Sequence, residues 1–170
     1  MLRAYQQEMK EAVKVEWAAG VNNIIGVLPT GAGKTVTMAH LAKDFEHVAG
    51  VAIAHRSVLI GQISMALARV GIRHDIVAQK SVIRTIVEEH MEELGRSWYS
   101  PSSDWKVASV DTLPGRADRL ASWINRVRIG ITDEAHHVTA ENRRGRECMR
   151  FRNAQWFLPT ATPKRGDRKG

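Results

Sequence analysis

A glycine-rich segment between an apolar run and a helical stretch constrains the fold of this chain more than any other feature. The apolar run at residues 24–28 is typical of a buried strand, Pro29 ends it, and residues 35–47 have the apolar spacing of a helix. Where a glycine-rich turn starts a helix, backbone N–H groups converge on phosphate oxygens and the helix dipole adds positive potential. The order of strand, loop and helix therefore predicts a phosphate-binding loop made of Pro29, Thr30, Gly31, Ala32, Gly33, Lys34 and Thr35.

Two side chains of this loop have roles in phosphoryl chemistry. Lys34 would lie against the β- and γ-phosphates of a nucleotide, and the Thr35 hydroxyl would ligate Mg²⁺. The usual pattern starts with a glycine five residues before Gly33, where this chain has Leu28. The departure is tolerable because the N–H donors come from later residues. A chance turn is the alternative interpretation, and kinases, transporters and motors all share phosphate loops.

Short apolar runs alternate with helical stretches along the chain, which predicts an α/β fold with a parallel sheet covered by helices on both faces. The predicted strands are 24–28, 51–54, 76–78, 106–110, 127–132 and 155–158, and the main predicted helices are 5–19, 35–47, 57–69 and 81–94. Arg128 is unfavourable inside a buried strand, so we expect it at the exposed beginning. The length of 170 residues fits one domain, 1–170.

An acidic pair, Asp133 and Glu134, follows the predicted strand at 127–132. Both carboxylates should therefore lie at the carboxyl edge of the sheet, where α/β sheets bind ligands. Asp133 would hold Mg²⁺, and Glu134 would orient and deprotonate the attacking water. Adjacent acidic residues are common on protein surfaces, but the position after a strand and downstream of a phosphate loop favours the catalytic interpretation.

Charge and composition restrict the setting and the partners. The net charge of +7 and the pI near 10.0 favour a polyanionic partner, and residues 141–170 carry nine basic against three acidic side chains. A solvated face or an unstructured tail is the alternative for that stretch. Cys148 is the single cysteine, and no apolar run reaches the roughly 18 residues of a membrane span. We therefore expect a soluble, intracellular and cytoplasmic protein without a membrane partner.

Further short segments join the phosphate loop and the acidic pair in a specific order. They are residues 2–6 (LRAYQ), 54–56 (AHR), 109–113 (SVDTL), 133–136 (DEAH) and 160–163 (TATP). In this order the chain resembles the DEAH-type superfamily-two helicases, the group of restriction-enzyme motor subunits and of phage and repair helicases. The similarity covers the amino-terminal, RecA-like motor domain. It implies a P-loop NTPase fold, with a three-layer arrangement of parallel β-sheet and flanking helices.

The resemblance also implies roles for individual residues. Gln6, with Arg3 alongside, would recognise the adenine base. His55, Arg56 and Thr112 would contact the nucleic-acid backbone, although Asp111 stands where glutamine is more common. His136, Thr160 and Thr162 would couple hydrolysis to movement.

The function that the resemblance implies is an ATP- and Mg²⁺-dependent helicase or translocase, with DNA favoured over RNA. The second motor lobe of the family, with its arginine fingers, has no sequence here, so we expect weak ATP hydrolysis without that lobe or a partner chain. A non-catalytic nucleotide- or DNA-binding module remains the alternative. A small-molecule phosphotransferase fits the DEAH and TATP segments poorly. Three aromatic residues could either stack on bases or pack inside the domain: Trp98, Tyr99 and Trp105.

Overall fold

The computed structural model describes residues 2–28, 33–132 and 143–161, and strands alternate with helices as the sequence predicts. The helices are α1 (Ala4–Ala18), α2 (Lys34–Asp44), α3 (Ser57–Arg69), α4 (Lys80–Leu94), α5 (Leu113–Arg116), α6 (Ala121–Arg126) and α7 (Arg143–Met149). The strands are β1 (Asn23–Leu28), β2 (Gly50–Ala54), β3 (Asp75–Val77), β4 (Trp105–Ser109), β5 (Ile129–Thr132) and β6 (Gln155–Ala161). Among the described helices, none has the length and apolar character needed to cross a membrane.

All six strands are parallel and form one sheet in the order β1-β6-β5-β2-β4-β3. The predicted α/β fold with a parallel sheet is therefore confirmed. Since parallel strands share one direction, their carboxyl ends lie at the same edge of the sheet, which is the usual ligand edge of such folds. β6 comes last along the chain but lies inside the sheet, between β1 and β5.

Helices cover both faces of the sheet because successive strand residues point to opposite sides. On β2, Ala52 and Ala54 belong to a core cluster with residues of α1, α2, α3 and α4. Val51 and Ile53 belong to a second cluster, with residues of α5, α6 and α7. Burial of each large aliphatic side chain stabilises the fold by about 1.5–3 kcal/mol. The two clusters make the domain a three-layer structure.

Two residues that break strand patterns lie where the sheet tolerates them. Arg128 is exposed and comes directly before β5, which confirms the expected position. Pro159 lies within β6, opposite Gly26 of β1, and the described pairing of β6 with β5 stops earlier, at Phe157. Proline has no backbone N–H to donate to a neighbouring strand. Because this position lies beyond the described pairing with β5, the missing donor removes no hydrogen bond from that pairing. β6 accordingly continues to Ala161, beyond its predicted end at residue 158.

A buried chain of hydrogen bonds fixes α4 to α3 and to the segment before β3. The backbone N–H of Trp98 donates to His90 Nδ1 at 3.1 Å, so the His90 proton lies on Nε2 and is donated to Ser64 Oγ at 3.0 Å. Ser64 Oγ in turn donates to His74 Nε2 at 2.6 Å, and His74 Nδ1 donates to the Ile72 carbonyl oxygen at 2.9 Å. With both histidines neutral, each hydrogen bond in this chain has one donor and one acceptor.

Candidate nucleotide-binding site

The helix α2 starts immediately after the glycine-rich segment. Gly33 is its N-cap and has a left-handed backbone, with φ 68° and ψ 53°, which glycine adopts at little cost. Lys34 and Thr35 are the first two residues of the helix and are half-buried. Both therefore lie at the positive end of the helix dipole, where a phosphate is stabilised. The other predicted members of the loop lie outside the described residues: Pro29, Thr30, Gly31 and Ala32.

Gln6 reaches this helix end from α1. Its side chain is buried, its Nε2 donates to the Gly33 carbonyl oxygen at 3.4 Å, and its Oε1 accepts the backbone N–H of Arg3 at 2.8 Å. Thr37 also donates to the Gly33 carbonyl, from both its backbone N–H and its hydroxyl. The fold thus brings Gln6 to the start of α2, the described end of the predicted phosphate loop, while the Arg3 side chain is exposed.

Ion pairs hold α1 against α2 farther along the two helices. Lys10 and Lys14 lie 3.0 Å and 3.2 Å from Asp44 Oδ2, near the carboxyl end of α2. Burial alone would raise the pKa of Asp44, but hydrogen bonds and charge from the two lysines outweigh it and hold that pKa below its ordinary value. The pairs help to fix the position of α1, and with it the position of Gln6.

The predicted acidic box continues directly from β5. Thr35 borders a small interior cavity together with Ile131 of β5 and Ala52 of β2, so the start of α2 faces the end of the strand that precedes Asp133. Thr132, the last residue of β5, is buried and donates from its hydroxyl to the Ile53 carbonyl oxygen at 3.1 Å. The predicted residues Asp133, Glu134 and His136 lie outside the described residues.

Thr160 lies near the end of β6, opposite Val27 of β1 in the strand register. β6 lies between β1, which precedes the predicted phosphate loop in the sequence, and β5, which precedes the predicted acidic box. A residue at the end of β6 therefore lies between the two strands that precede the predicted motifs. Thr162, the second predicted coupling residue of this segment, lies outside the described residues.

The three predicted nucleic-acid contacts follow two neighbouring strands. β2 and β4 pair so that Ala54 lies opposite Ser109, and the Val110 N–H donates to the Ala54 carbonyl oxygen at 3.0 Å. His55 and Arg56 come directly after β2 and are exposed, and Thr112 comes shortly after β4 and is half-buried. The fold places all three at the carboxyl edge of the sheet, the same edge as Lys34 and Thr35.

The aromatic residues divide between packing and partial exposure. Trp105 is buried in the core and its indole N–H donates to the Phe45 carbonyl oxygen at 3.2 Å, so it packs within the domain. Trp98 and Tyr99 are half-buried, and the Arg96 guanidinium lies 4.3 Å from the centre of the Trp98 ring. Base stacking is therefore excluded for Trp105 in this fold.

The bond from Gln6 to Gly33 is the part of the site that sequence reasoning missed. The local bond from Gln6 to the Arg3 N–H follows the capping-box spacing, in which the third helical residue reaches back to the N-cap. No local pattern joins residues 6 and 33. Among the described residues there is also no cluster of three or more side chains suited to a metal ion.

Known proteins share this fold. The chain is similar to the UvsW helicase from bacteriophage T4, with a TM-score of 0.63 and 15% identity over 94% of this chain and 51% of that chain. It is similar to the Hef helicase domain of Pyrococcus furiosus, with a TM-score of 0.64 and 21% identity over 95% of this chain and 34% of that chain. At these identities the likeness shows the fold alone. The chain spans about half of one structure and about a third of the other.

None of the curated proteins matches the sequence. Residues 1–165 match the family described as "Type III restriction enzyme, res subunit". Since this match extends over nearly the whole chain and agrees with the helicase-like fold, the chain belongs to the type III restriction enzyme res subunit family.

Proposed function

We propose that this chain is the ATP-binding lobe of a DEAH-type, nucleic-acid-dependent helicase or translocase. The observation that carries the proposal is the start of α2, where left-handed Gly33 is followed by Lys34 and Thr35, with Gln6 bonded to the same turn. The family and the helicase fold of its structural neighbours support it. The exposed Arg56 at the same sheet edge is suited to a phosphate backbone.

In this proposal the reaction is the hydrolysis of ATP. The loop N–H groups and Lys34 bind the β- and γ-phosphates, and Gln6 lies beside the nucleotide. Glu134 accepts a proton from water, the water oxygen bonds to the γ-phosphorus, and the bond from that phosphorus to the β,γ-bridging oxygen breaks. Thr35 and Asp133 are suited to hold Mg²⁺, which would neutralise charge on the phosphate oxygens. His136, Thr160 and Thr162 transmit the state of the site to the nucleic-acid face.

We infer that DNA is the nucleic acid, because the family description is that of a restriction enzyme. A second motor lobe or a partner chain completes the proposed machine, since the helicase structures are two to three times as long as the matched part. In such a machine ATP closes the cleft between the lobes and hydrolysis reopens it. An arginine from the second lobe adds orders of magnitude to the rate by neutralising transition-state charge.

The second candidate is a binding module that holds nucleotide or DNA without turnover. The fold supplies the start of α2 at the carboxyl edge, and that feature by itself supports binding rather than hydrolysis. Motor and module differ in one measurable property, which is whether bound ATP is converted to ADP and phosphate.

A single-turnover ATPase assay separates the two functions. The protein is mixed with limiting ATP and Mg²⁺, alone and with single-stranded DNA, duplex DNA or RNA. A motor lobe gives hydrolysis that DNA stimulates, whereas a module binds ATP and hydrolyses none under any condition. Greater stimulation by RNA than by DNA would overturn the choice of DNA.

The Lys34→Ala variant tests the site itself. We expect it to lose nucleotide binding in equilibrium titrations, because alanine removes the ammonium group that would bind the phosphates. The matched control is Lys43→Ala, which removes a lysine near the other end of α2, where it pairs with Glu46 at the surface. Unchanged ATP affinity in Lys34→Ala would refute the loop assignment.

A further inference from the structure

A basic groove lies at the β3 end of the carboxyl edge, outside the segments that resemble family motifs. It has a volume of about 660 Å³ and is bordered by Lys80 at the start of α4, by Arg116 in α5, and by Arg119. Tyr99 and Ile83 form part of its wall, and Asp118 is its one lining carboxylate. Three cations against one anion give the groove a net positive charge, which suits a polyanion.

Two of these cations form no ion pair within the described part of the chain. Lys80 and Arg119 are exposed and form no ion pair with any residue in the described ranges. By comparison, Lys106, near the amino end of β4, is buried and pairs with Asp75 at 3.0 Å. Lys80 also occupies the first turn of α4, where a cation is unfavourable beside the positive end of the helix dipole. Both charges are thus available to an external anion.

A hydrogen bond between two of the segments that border the groove fixes their relative position. Arg116 Nη2 donates to the Ala78 carbonyl oxygen at 3.2 Å, which ties the segment after β4 to the segment after β3. Burial, followed by the charge of Asp75, raises the pKa of Tyr99 against the opposing effect of Arg116, so the hydroxyl stays protonated near neutral pH. A protonated hydroxyl can donate a hydrogen bond to a phosphate oxygen.

The position of the groove continues the proposed nucleic-acid path. β2, β4 and β3 are successive strands of the sheet, and Arg56, Thr112 and Lys80 follow them in that order. Neighbouring strands are about 4.8 Å apart, so β2 and β3 are separated by about 10 Å. This distance equals about three base-pair steps along the axis of duplex DNA, at about 3.4 Å each.

We propose that this groove, through Lys80 and Arg119, binds the phosphodiester backbone of the nucleic acid beyond the segment held by Arg56 and Thr112. The inference rests on the proposed function, because it assumes that nucleic acid runs along the carboxyl edge. It adds two specific contacts to the proposed function. It also places the path of the nucleic acid along the carboxyl edge from β2 toward β3.

The test compares two variants with equal loss of charge. Lys80→Gln/Arg119→Gln removes the groove cations, and Arg73→Gln/Arg128→Gln removes two exposed arginines at the opposite, amino edge of the sheet. Fluorescence anisotropy measures the Kd for labelled single-stranded and duplex DNA from low to high salt. ATP affinity serves as a check that both variants retain the nucleotide site.

We expect the groove variant to bind single-stranded DNA about tenfold more weakly at low salt. Its slope of log K against log salt should be shallower by about 1.4, for two lost phosphate contacts at about 0.7 each. The amino-edge variant should change little. Equal weakening in both variants, or no change in the groove variant, would overturn the groove. If the unaltered protein binds no nucleic acid at all, the proposed function itself fails.

Discussion

Gln6 donates a hydrogen bond from Nε2 to the carbonyl oxygen of Gly33 at 3.4 Å, across 27 residues of sequence. A Cβ atom added to Gly33 would lie 2.9 Å from the same Nε2. The helix that begins the chain therefore packs directly on the turn that begins α2. Gly33 is favoured twice, once for its left-handed backbone and once because a side chain there would displace the Gln6 amide.

The first prediction separates these two requirements. Gly33→Ala should weaken nucleotide binding at least tenfold, because the new methyl group displaces Gln6 and distorts the turn. Gly95→Ala is the matched control, since Gly95 has a similar φ of 74° and open space around it. Both variants should lose about 1–2 kcal/mol of unfolding free energy in urea titrations, the cost of a left-handed alanine. Equal nucleotide affinities in the two variants would contradict the role assigned to the contact.

A second prediction concerns the base of the proposed reaction. In the assembly with the second motor lobe or partner chain, Glu134→Gln should keep the ATP affinity of the parent protein and lose ATP turnover by several orders of magnitude, because an amide cannot accept the proton of water. Single-turnover kinetics and equilibrium binding measure the two properties separately. Glu88→Gln, an exposed change on α4, is the control. Parental turnover in the Glu134 variant would remove this residue from the mechanism.

A third prediction follows from the buried histidines. Burial lowers the pKa of His74 to about 4, despite the raising effect of its bond to the Ile72 carbonyl, and burial also lowers the pKa of His90. The unfolded chain then binds more protons than the folded one between about pH 4 and pH 6.5. Stability should be complete above pH 6.5 and fall as the pH drops, by about 1.4 kcal/mol per pH unit for each histidine inside its window.

Urea titrations from pH 7.5 to pH 4.5 measure this effect. His74→Gln should be less stable at pH 7.5 and should show a shallower dependence on pH, because one titrating group is gone. His40, whose pKa is lowered by burial and then by Lys10, contributes in the same direction in every variant. An identical slope in His74→Gln and the parent would contradict the assignment.

The fourth prediction concerns a glycine beneath a tryptophan. Gly130 of β5 lies opposite Trp156 of β6, and an added Cβ would come 2.6 Å from the indole ring. Gly130→Ala should cost about 1–3 kcal/mol of stability through overpacking and lower the Tm by several degrees. Gly61→Ala in α3 is the control, because its Cβ would meet only ordinary contacts and alanine favours the helix. Equal Tm values would show that the ring moves freely.

The sheet and the start of α2 were predictable because their signals are local. The apolar run before Pro29 and the helical spacing after Lys34 fixed β1 and α2, and the end of β5 followed from the run before Asp133. The helix Ser57–Arg69 has the bounds that the sequence predicts. Boundaries elsewhere differ by a few residues, since helix ends depend on capping and packing as well as periodicity.

The remainder depends on contacts between distant residues. Ser64, His74 and His90 belong to no motif, and only the packing of α4 against α3 brings them together. The short helices α5 and α6 lack the length at which periodicity is informative. The position of β6 inside the sheet follows from the three-dimensional crossover, which the linear order of elements leaves undetermined.

That crossover also determines the order in which the domain can assemble. β1 pairs only with β6 among the described strands, and more than 120 residues separate the two. Contacts between such distant segments require the closure of a long loop, and they form slowly. During synthesis, β1 therefore cannot pair with its neighbour in the sheet until the ribosome has synthesised β6, which ends at Ala161. The candidate nucleotide site directly follows β1 in the sequence, so we expect shortened nascent chains that lack β6 to have no ATP affinity.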